Sequence, residues 1–351
     1  MQIEDIARHF DHQADSCKQL GSSMYAALSR ACARDIESGG PVFKLLEQWS
    51  GHPILDAVVM RLFGAVHRLV LKGELPDLAG HYPTVGGVPS SPGLEKAFLA
   101  AVAAESDRIL PELEDQVQTN EARRSAVLLG GFLEIASATQ LPIRQLELGA
   151  SAGLNHLWDR YRYRLGQAEW GPPGAVPLLD TVWSGPQPKL DAELEVVERA
   201  ACDLFPIDLR QRDAEFRLDS FIWPDQPERR ERFRQAAARV REAEIEIDAS
   251  RALPWLESKL ALATPDRATV VFHSIFWHYM TREDQAGIEA LLAVKGAAAE
   301  ASAPLAWLRM EAKSLELCEL RLSLWTGKGV REDRILAECG FHGEFVNWLG
   351  D

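Results

Sequence analysis

Gln145-Leu146-Glu147-Leu148-Gly149-Ala150-Ser151-Ala152-Gly153-Leu154-Asn155 decides how this 351-residue chain is read. An apolar strand carries an acid near its end, breaks into a turn of small residues and opens into what reads as a helix. Glycine suits places where the backbone takes special torsions or lets a ligand come close. The first amides of a helix have no partner within it, so they suit polar or anionic ligand atoms. Doubly wound α/β folds hold nucleotide-like ligands at strand–turn–helix units of this kind.

The rhythm of apolar residues differs on the two sides of this stretch. Before about Thr139 the spacing is helical. Leu55, Val58, Val59, Leu62, Phe63, Val66 and Val70 form the strongest stripe, with His67 as a structural residue on the same helix. A short stripe at Ile3, Ile6 and Phe10, a helix over 94–110 stopped by Pro111, and another over 121–138 accompany it. The turn formers of 81–92 read as a loop. After Pro142, strands alternate with helices, which predicts a mostly parallel sheet. The expected strands are 144–148, 194–203, 244–248, 268–273 and 304–310, closed by an antiparallel pair at 320–325 and near Phe345. A helix through Leu157 and Tyr161 should follow the first strand, and 166–190 reads as irregular. The division expected is a helical N-terminal cap over 1–141 and an α/β domain over 142–351.

A net charge of −14 argues against a phosphate-backbone binder. The arginines of 228–243 (Arg229, Arg230, Arg232, Arg234, Arg239, Arg241) read as a solvated helix face. Phe233, Ala236, Ala237 and Val240 mark that helix's buried side, and Glu228, Glu231 and Glu242 offset the charge. The five cysteines are scattered and form no CxxC pair, so neither a disulfide framework nor a metal site is expected. The first residues lack the regions of a signal peptide, and no apolar run approaches the ~20 residues of a membrane span. The expectation is a cytoplasmic protein with no membrane partner; the oligomeric state stays open.

Three glycine turns compete for the opening motif. A P-loop needs GxxxxGK[ST], which is absent. A dinucleotide fingerprint needs glycine where Ser151 stands. The turn that binds S-adenosyl-L-methionine (SAM) seats no phosphate, and the ligand's ammonium and sulfonium favour a nearby carboxylate such as Glu147. Glu147-Leu148-Gly149-Ala150-Ser151-Ala152-Gly153 resembles the acid-x-Gly-x-Gly-x-Gly motif of class I SAM-dependent methyltransferases, departing from it at Ser151. More narrowly, the chain resembles an uncharacterised bacterial family of unknown function with a methyltransferase-like fold. Gln118-Thr119-Asn120-Glu121, the GASAGLN stretch, Trp223-Pro224-Asp225-Gln226 and His273-Ser274 carry that resemblance, which spans most of the chain.

The resemblance implies a doubly wound, mostly parallel, Rossmann-type α/β sheet preceded by an all-helical region, with SAM as cofactor and a small-molecule or protein methyl acceptor. Gly149, Ala150, Ser151, Gly153 and Glu147 would line the cofactor, with Asn155 either touching it or polarising the first helical turn. An acid at the second strand end would accept the ribose hydroxyls: Asp203, with Glu169 as the alternative. Asp248-Ala249 would receive the adenine at the third. His273, ending the fourth strand, is the expected base, with His278 and Tyr279 behind it. The strand lacks the Asn/Asp-Pro-Pro-aromatic and Pro-Cys signatures of nucleic-acid methylation. Each acid also has a plain structural reading, as a cap or turn residue. Two other readings stay open, a catalytically silent SAM-binding sensor or scaffold and an NAD(P)-dependent oxidoreductase, the latter disfavoured by Ser151.

Overall fold

The computed structural model describes residues 3–47, 49, 51, 52, 56–89, 93–118, 120–262, 264–314, 316–327 and 331–350. The start of the N-terminal stretch (Met1-Gln2), Leu55 of the expected stripe, Ser90-Ser91-Pro92 of the expected loop and Thr119 lie outside the described residues. The chain forms two compact units: Met1–Thr119 with Arg210–Glu231, and Asn120–Leu209 with Arg232–Asp351. The cap expected over 1–141 therefore divides differently. Its last helix joins the sheet, and a later segment joins the helical unit.

Among the described residues eight α-helices precede the first strand: α1 (Ile3–Gln19), α2 (Ser23–Glu37), α3 (Pro41–Leu46), α4 (Val58–Leu71), α5 (Pro76–Ala79), α6 (Leu94–Ala104), α7 (Ser106–Glu112) and α8 (Arg124–Thr139). The first seven, with α9 (Arg212–Ser220) and the start of α10 (Pro227–Glu242), build the helical unit. Helix α4 is its axis, because Val58, Val59, Leu62, Phe63, Val66 and Val70 are all buried. Phe63 meets Tyr25 at 4.6 Å and Phe98 edge-on at 5.7 Å. The single helix expected over 94–110 is broken at Glu105, and Pro111 sits inside the last turn of α7. The phrase Trp223-Pro224-Asp225-Gln226 completes this unit. Asp225 accepts from Ser22 Oγ (2.7 Å) and Met24 N (3.1 Å) at the start of α2, while Trp223 packs on Tyr25. A carboxylate there satisfies an amide that has no partner within the helix and suits the positive end of the dipole.

The second unit is α/β. Its eleven strands are β1 (Ile143–Leu148), β2 (Arg162–Leu165), β3 (Ala168–Trp170), β4 (Leu178–Ser184), β5 (Val196–Asp203), β6 (Asp248–Ala249), β7 (Ala268–Ser274), β8 (Leu305–Ala312), β9 (Cys318–Trp325), β10 (Arg331–Cys339) and β11 (Phe345–Trp348). They run in the order β3-β2-β4-β11-β10-β9-β8-β7-β1-β5-β6 within one mostly parallel sheet. Helices α11 (Ala252–Lys259) and α12 (Arg282–Ala297) flank β7 in sequence.

Three expectations fail here. The predicted closing pair is not a pair, since β10 lies between β9 and β11 and bonds to both. The stretch read as irregular holds β3, which is short, and β4, which alternates in burial although its residue types do not. No α-helix follows the opening turn: residues Asn155–Arg160 make a 3-10 turn and the chain then enters β2.

That turn begins a wide crossing of the sheet. β2 lies seven strand steps from β1, roughly 34 Å across a flat sheet at ~4.8 Å per step. The residues between Leu148 and Arg162, six of them in the 3-10 turn, make that crossing. Helix α8 packs against β4, β7, β8, β9 and β10. Residues 124–136 of α8 are buried on every side, as a central helix requires. Trp158 from the 3-10 turn stacks on Phe132 of α8 at 3.9 Å and gives its indole N–H to Gln145 of β1 (2.9 Å). No helix among the described residues is long and apolar enough to cross a membrane.

His67 supplies a test of the helical unit. Its Nδ1 lies 2.9 Å from the Ser220 carbonyl and its Nε2 3.0 Å from Thr84 Oγ1, so the neutral ring is satisfied on both sides. Burial pushes its pKa from the ordinary 6.5 down to about 4, against an opposing pull from Asp219. The unfolded chain then binds a proton that the native chain refuses. Stability should be full above pH 6.5, fall by about 3 kcal/mol as pH drops towards 4, and flatten below. In proton NMR the His67 Cε1–H resonance should hold still from pH 8 to pH 5. A midpoint near 6.5 would refute the assignment.

Candidate functional site

The C-terminal ends of the parallel strands β6, β5, β1 and β7 lie side by side, where open α/β sheets bind ligands. At the end of β1 the chain takes left-handed torsions at Gly149 (φ 69°) and Ser151 (φ 52°). A Cβ on Gly149 would lie 2.0 Å from the Phe276 ring, so glycine is required there by packing as well as by torsion. Ser151 tolerates its torsion because its amide is held. Its N–H donates to Asp203 Oδ2 of the neighbouring strand at 2.8 Å, while Asn120 Nδ2 donates to its Oγ at 3.0 Å. Gly149 and Ala150 both donate to the Cys202 carbonyl, and Ile207 N to the Ser151 carbonyl. The turn is thus sewn to the end of β5.

Asp203 is half-buried, and its Oδ1 accepts from Phe205 N at 2.9 Å. Asp248, paired with Cys202 across β5 and β6, is exposed. It accepts from Trp255 Nε1 (2.6 Å) and lies 3.3 Å from Lys259 Nζ; the indole N–H bond first, then the lysine, hold its carboxyl below the usual range. Ala249 beside it is exposed as well. Asn155 faces inward, its Oδ1 accepting from Ser125 Oγ of α8 at 2.7 Å. Glu169 lies on the edge strand β3, tied to Arg162 at 2.6 Å. Of the two ribose alternatives, only Asp203 bonds to the turn.

Two expected roles change. Glu147 is 4% exposed and lies 3.0 Å from His156 Nδ1. Burial pushes its carboxyl pKa up, and the His156 bond only partly offsets this. A side chain so enclosed steers His156 and the turn rather than facing a ligand. His273, expected as the base, is fully buried with both ring nitrogens engaged. Trp307 Nε1, which can only donate, points at His273 Nε2 (3.0 Å), so the ring proton sits on Nδ1 and is given to Glu311 Oε1 (2.6 Å). No lone pair remains for a substrate proton. Exposed His278 and Tyr279 lie against each other at 3.9 Å, tilted by 39°, beside this segment.

Sequence reasoning missed Glu311, the group that His273 serves. Glu311 Oε1 also accepts from Phe276 N (3.0 Å), which ties the end of β8 to the loop covering Gly149. A signal was available: on β8, Trp307, Arg309 and Glu311 alternate with Leu308 and Met310, placing polar groups on one face. Of the arginines on α10, Arg232 lies 3.6 Å from Glu121 and Arg239 3.1 Å from Glu242. Phe233, Ala236, Ala237 and Val240 are buried as expected.

A family described as an uncharacterized protein conserved in bacteria (DUF2332) matches residues 7–348. No curated protein matches the chain, and no solved structure does.

Asp203 is the clasp of the turn. Replacing it with Ala removes a charged acceptor from two backbone amides and should cost about 2 kcal/mol. Asp203→Asn, which keeps one acceptor, should lose roughly half of that. Equal stabilities for wild type and Asp203→Ala in urea titrations would show that the clasp carries no weight.

Proposed function

The chain belongs to this conserved bacterial family, and we propose that it binds S-adenosyl-L-methionine on the C-terminal edge of β1, β5 and β6 and transfers its methyl group to a small-molecule or protein acceptor. One observation carries the reading: Asp203 grips the Ser151 amide at 2.8 Å, which joins the glycine turn to the end of β5, while an exposed carboxylate, Asp248, stands on the two-residue β6 alongside. A nucleoside laid over three adjacent strand ends meets that order of groups. In a methyltransferase-like fold the acids serve the ribose and the adenine amino group.

The residues fit the cofactor at its nucleoside end. Asp248 is open to a ligand, and the carboxylate of Asp203 has acceptor sites beyond the two amides it holds. At the amino-acid end Glu147 acts indirectly, through His156. When bound, the cofactor supplies an electrophilic methyl group. The protein's part is positioning. Asp203 fixes the turn, His273 orients Glu311 by its Nδ1–H, and Glu311 is the carboxylate able to take an acceptor's proton.

The silent SAM binder is favoured by a different fact, the complete engagement of His273 between Trp307 and Glu311. The nicotinamide reading has Ser151 against it, since a side chain stands where a pyrophosphate needs glycine.

Calorimetric titration of the full chain with SAM, S-adenosylhomocysteine and NAD separates these readings. Both adenosyl compounds should bind and NAD should not. Asp248→Ala should weaken SAM about tenfold or more, in line with a lost charged hydrogen bond, with an unchanged unfolding midpoint. Heat from NAD alone, or none from any of the three, would sink the proposal. Binding without release of S-adenosylhomocysteine in the presence of acceptors would select the silent binder.

A further inference from the structure

Between β8, β9 and α12 lies a cavity of about 320 Å³. Three indoles, from Trp277, Trp307 and Trp325, form its walls. Trp277 and Trp307 sit 5.4 Å apart at 50°, and Trp277 stacks on the His273 ring at 5.2 Å. The polar lining holds both signs of charge, and the balance between them decides what the cavity admits.

Its two cations are already matched. The Arg309 guanidinium lies 3.9 Å from the Trp307 ring centroid and donates to Ser323 Oγ (2.9 Å) and Asp333 Oδ1 (3.3 Å). Arg321 donates to Glu319 (2.9 Å) and lies 3.7 Å from Asp333 Oδ2. Two further carboxylates line the cavity. Glu311 is bonded to the uncharged tautomer of His273, and Glu289 is exposed on α12. Among the described residues neither is paired with a lysine or arginine. An anion entering here would meet carboxylates without a spare cation. A neutral apolar ligand would desolvate Glu311 and return nothing to it. A cation gains from both the carboxylates and the ring faces, and Arg309 over Trp307 shows that such a face already takes one.

We propose that this cavity is a binding site for a small organic cation, an ammonium or methylated ammonium carrying a few carbons. The indoles hold its apolar shell, and Glu311 with Glu289 balances its charge. Binding rests on the cavity alone, so it stands or falls independently of the SAM titration.

The test uses the full chain with nitrogen-15 in its indoles. Choline chloride is titrated at constant ionic strength, with 3,3-dimethylbutan-1-ol as the uncharged isostere and sodium acetate as the anion. Choline should shift the Trp277, Trp307 and Trp325 indole N–H signals saturably, and the alcohol should bind about tenfold more weakly or not at all. Glu311→Gln should weaken choline by a similar factor. Because Glu311 also holds Phe276, Glu289→Gln, at an exposed position, gives a second reading with an expected loss of about threefold. Equal binding of choline and the alcohol, a response to acetate alone, or no saturable shift with choline would overturn the proposal.

Discussion

The burial of α8 beneath its own sheet is the constraint on which the second unit depends. A helix hidden on every side needs walls on every side, and β4, β7, β8, β9 and β10 supply part of them. Trp158 is the pivot: it stacks on Phe132 in the helix and bonds to Gln145 in β1, so one indole fixes the link to both. The same constraint builds the turn. With a 3-10 segment in place of an α-helix after β1, residues 149–155 are held by side chains and by backbone bonds to 202 and 207 instead of a helical ladder. Ser125 at the start of α8 bonds Asn155, and Asn120 just ahead of it bonds Ser151. The approach to α8 is therefore part of the candidate site.

Four carboxylates at this edge do different work because their surroundings differ. Glu147, sealed in with His156, has its pKa raised by burial and serves the interior. Asp203, half-buried, spends its charge on two backbone amides. Asp248, in the open, has its pKa lowered by an indole N–H and a lysine, so it remains a carboxylate over a wide range. Glu311 collects a histidine N–H and a backbone N–H on one oxygen while lining a cavity. Residue type alone makes these four equivalent. Burial and partners separate a structural acid from one that can meet a ligand.

The centre of the parallel sheet was legible because β1 and β7 are buried along their length; 268–273 is the clearest apolar run. Asp203 and Asp248 were legible as acids at the ends of stretches that read as strands. The rest was hidden by long-range effects. β6 shrinks to two residues although 244–248 alternates well, because only its last part pairs with β5. Pro and Gly disguise β3 and β4, whose pairing partners come from outside their own stretch. The helix expected after Gly153 fails because tertiary demand for Trp158 under α8 overrides local preference. His273 looked like a base because its strand end was visible, whereas Trp307 and Glu311, which use up its nitrogens, lie more than thirty residues away.

Two adjacent strand ends carry non-glycine residues in the left-handed region: Ser151 after β1 (φ 52°) and Ile275 after β7 (φ 50°). For a β-branched residue such as isoleucine this torsion is an outlier, with a cost of roughly 1–3 kcal/mol. Each is held by a bond from the next strand outward, Ser151 N to Asp203 on β5 and Ile275 N to the Met310 carbonyl on β8. Between them Phe276 lies on Gly149. The torsion at Ile275 sends Phe276 back over β1, and the glycine at 149 makes room for it. Gly149 is thus explained by Phe276 without any ligand, and it says little about what binds. Ser151 says more: its backbone is strained and pinned by an acid, yet its side chain is used only by Asn120. A strained residue fixed this firmly at the mouth of a parallel sheet fits a ligand-facing turn better than a packing turn.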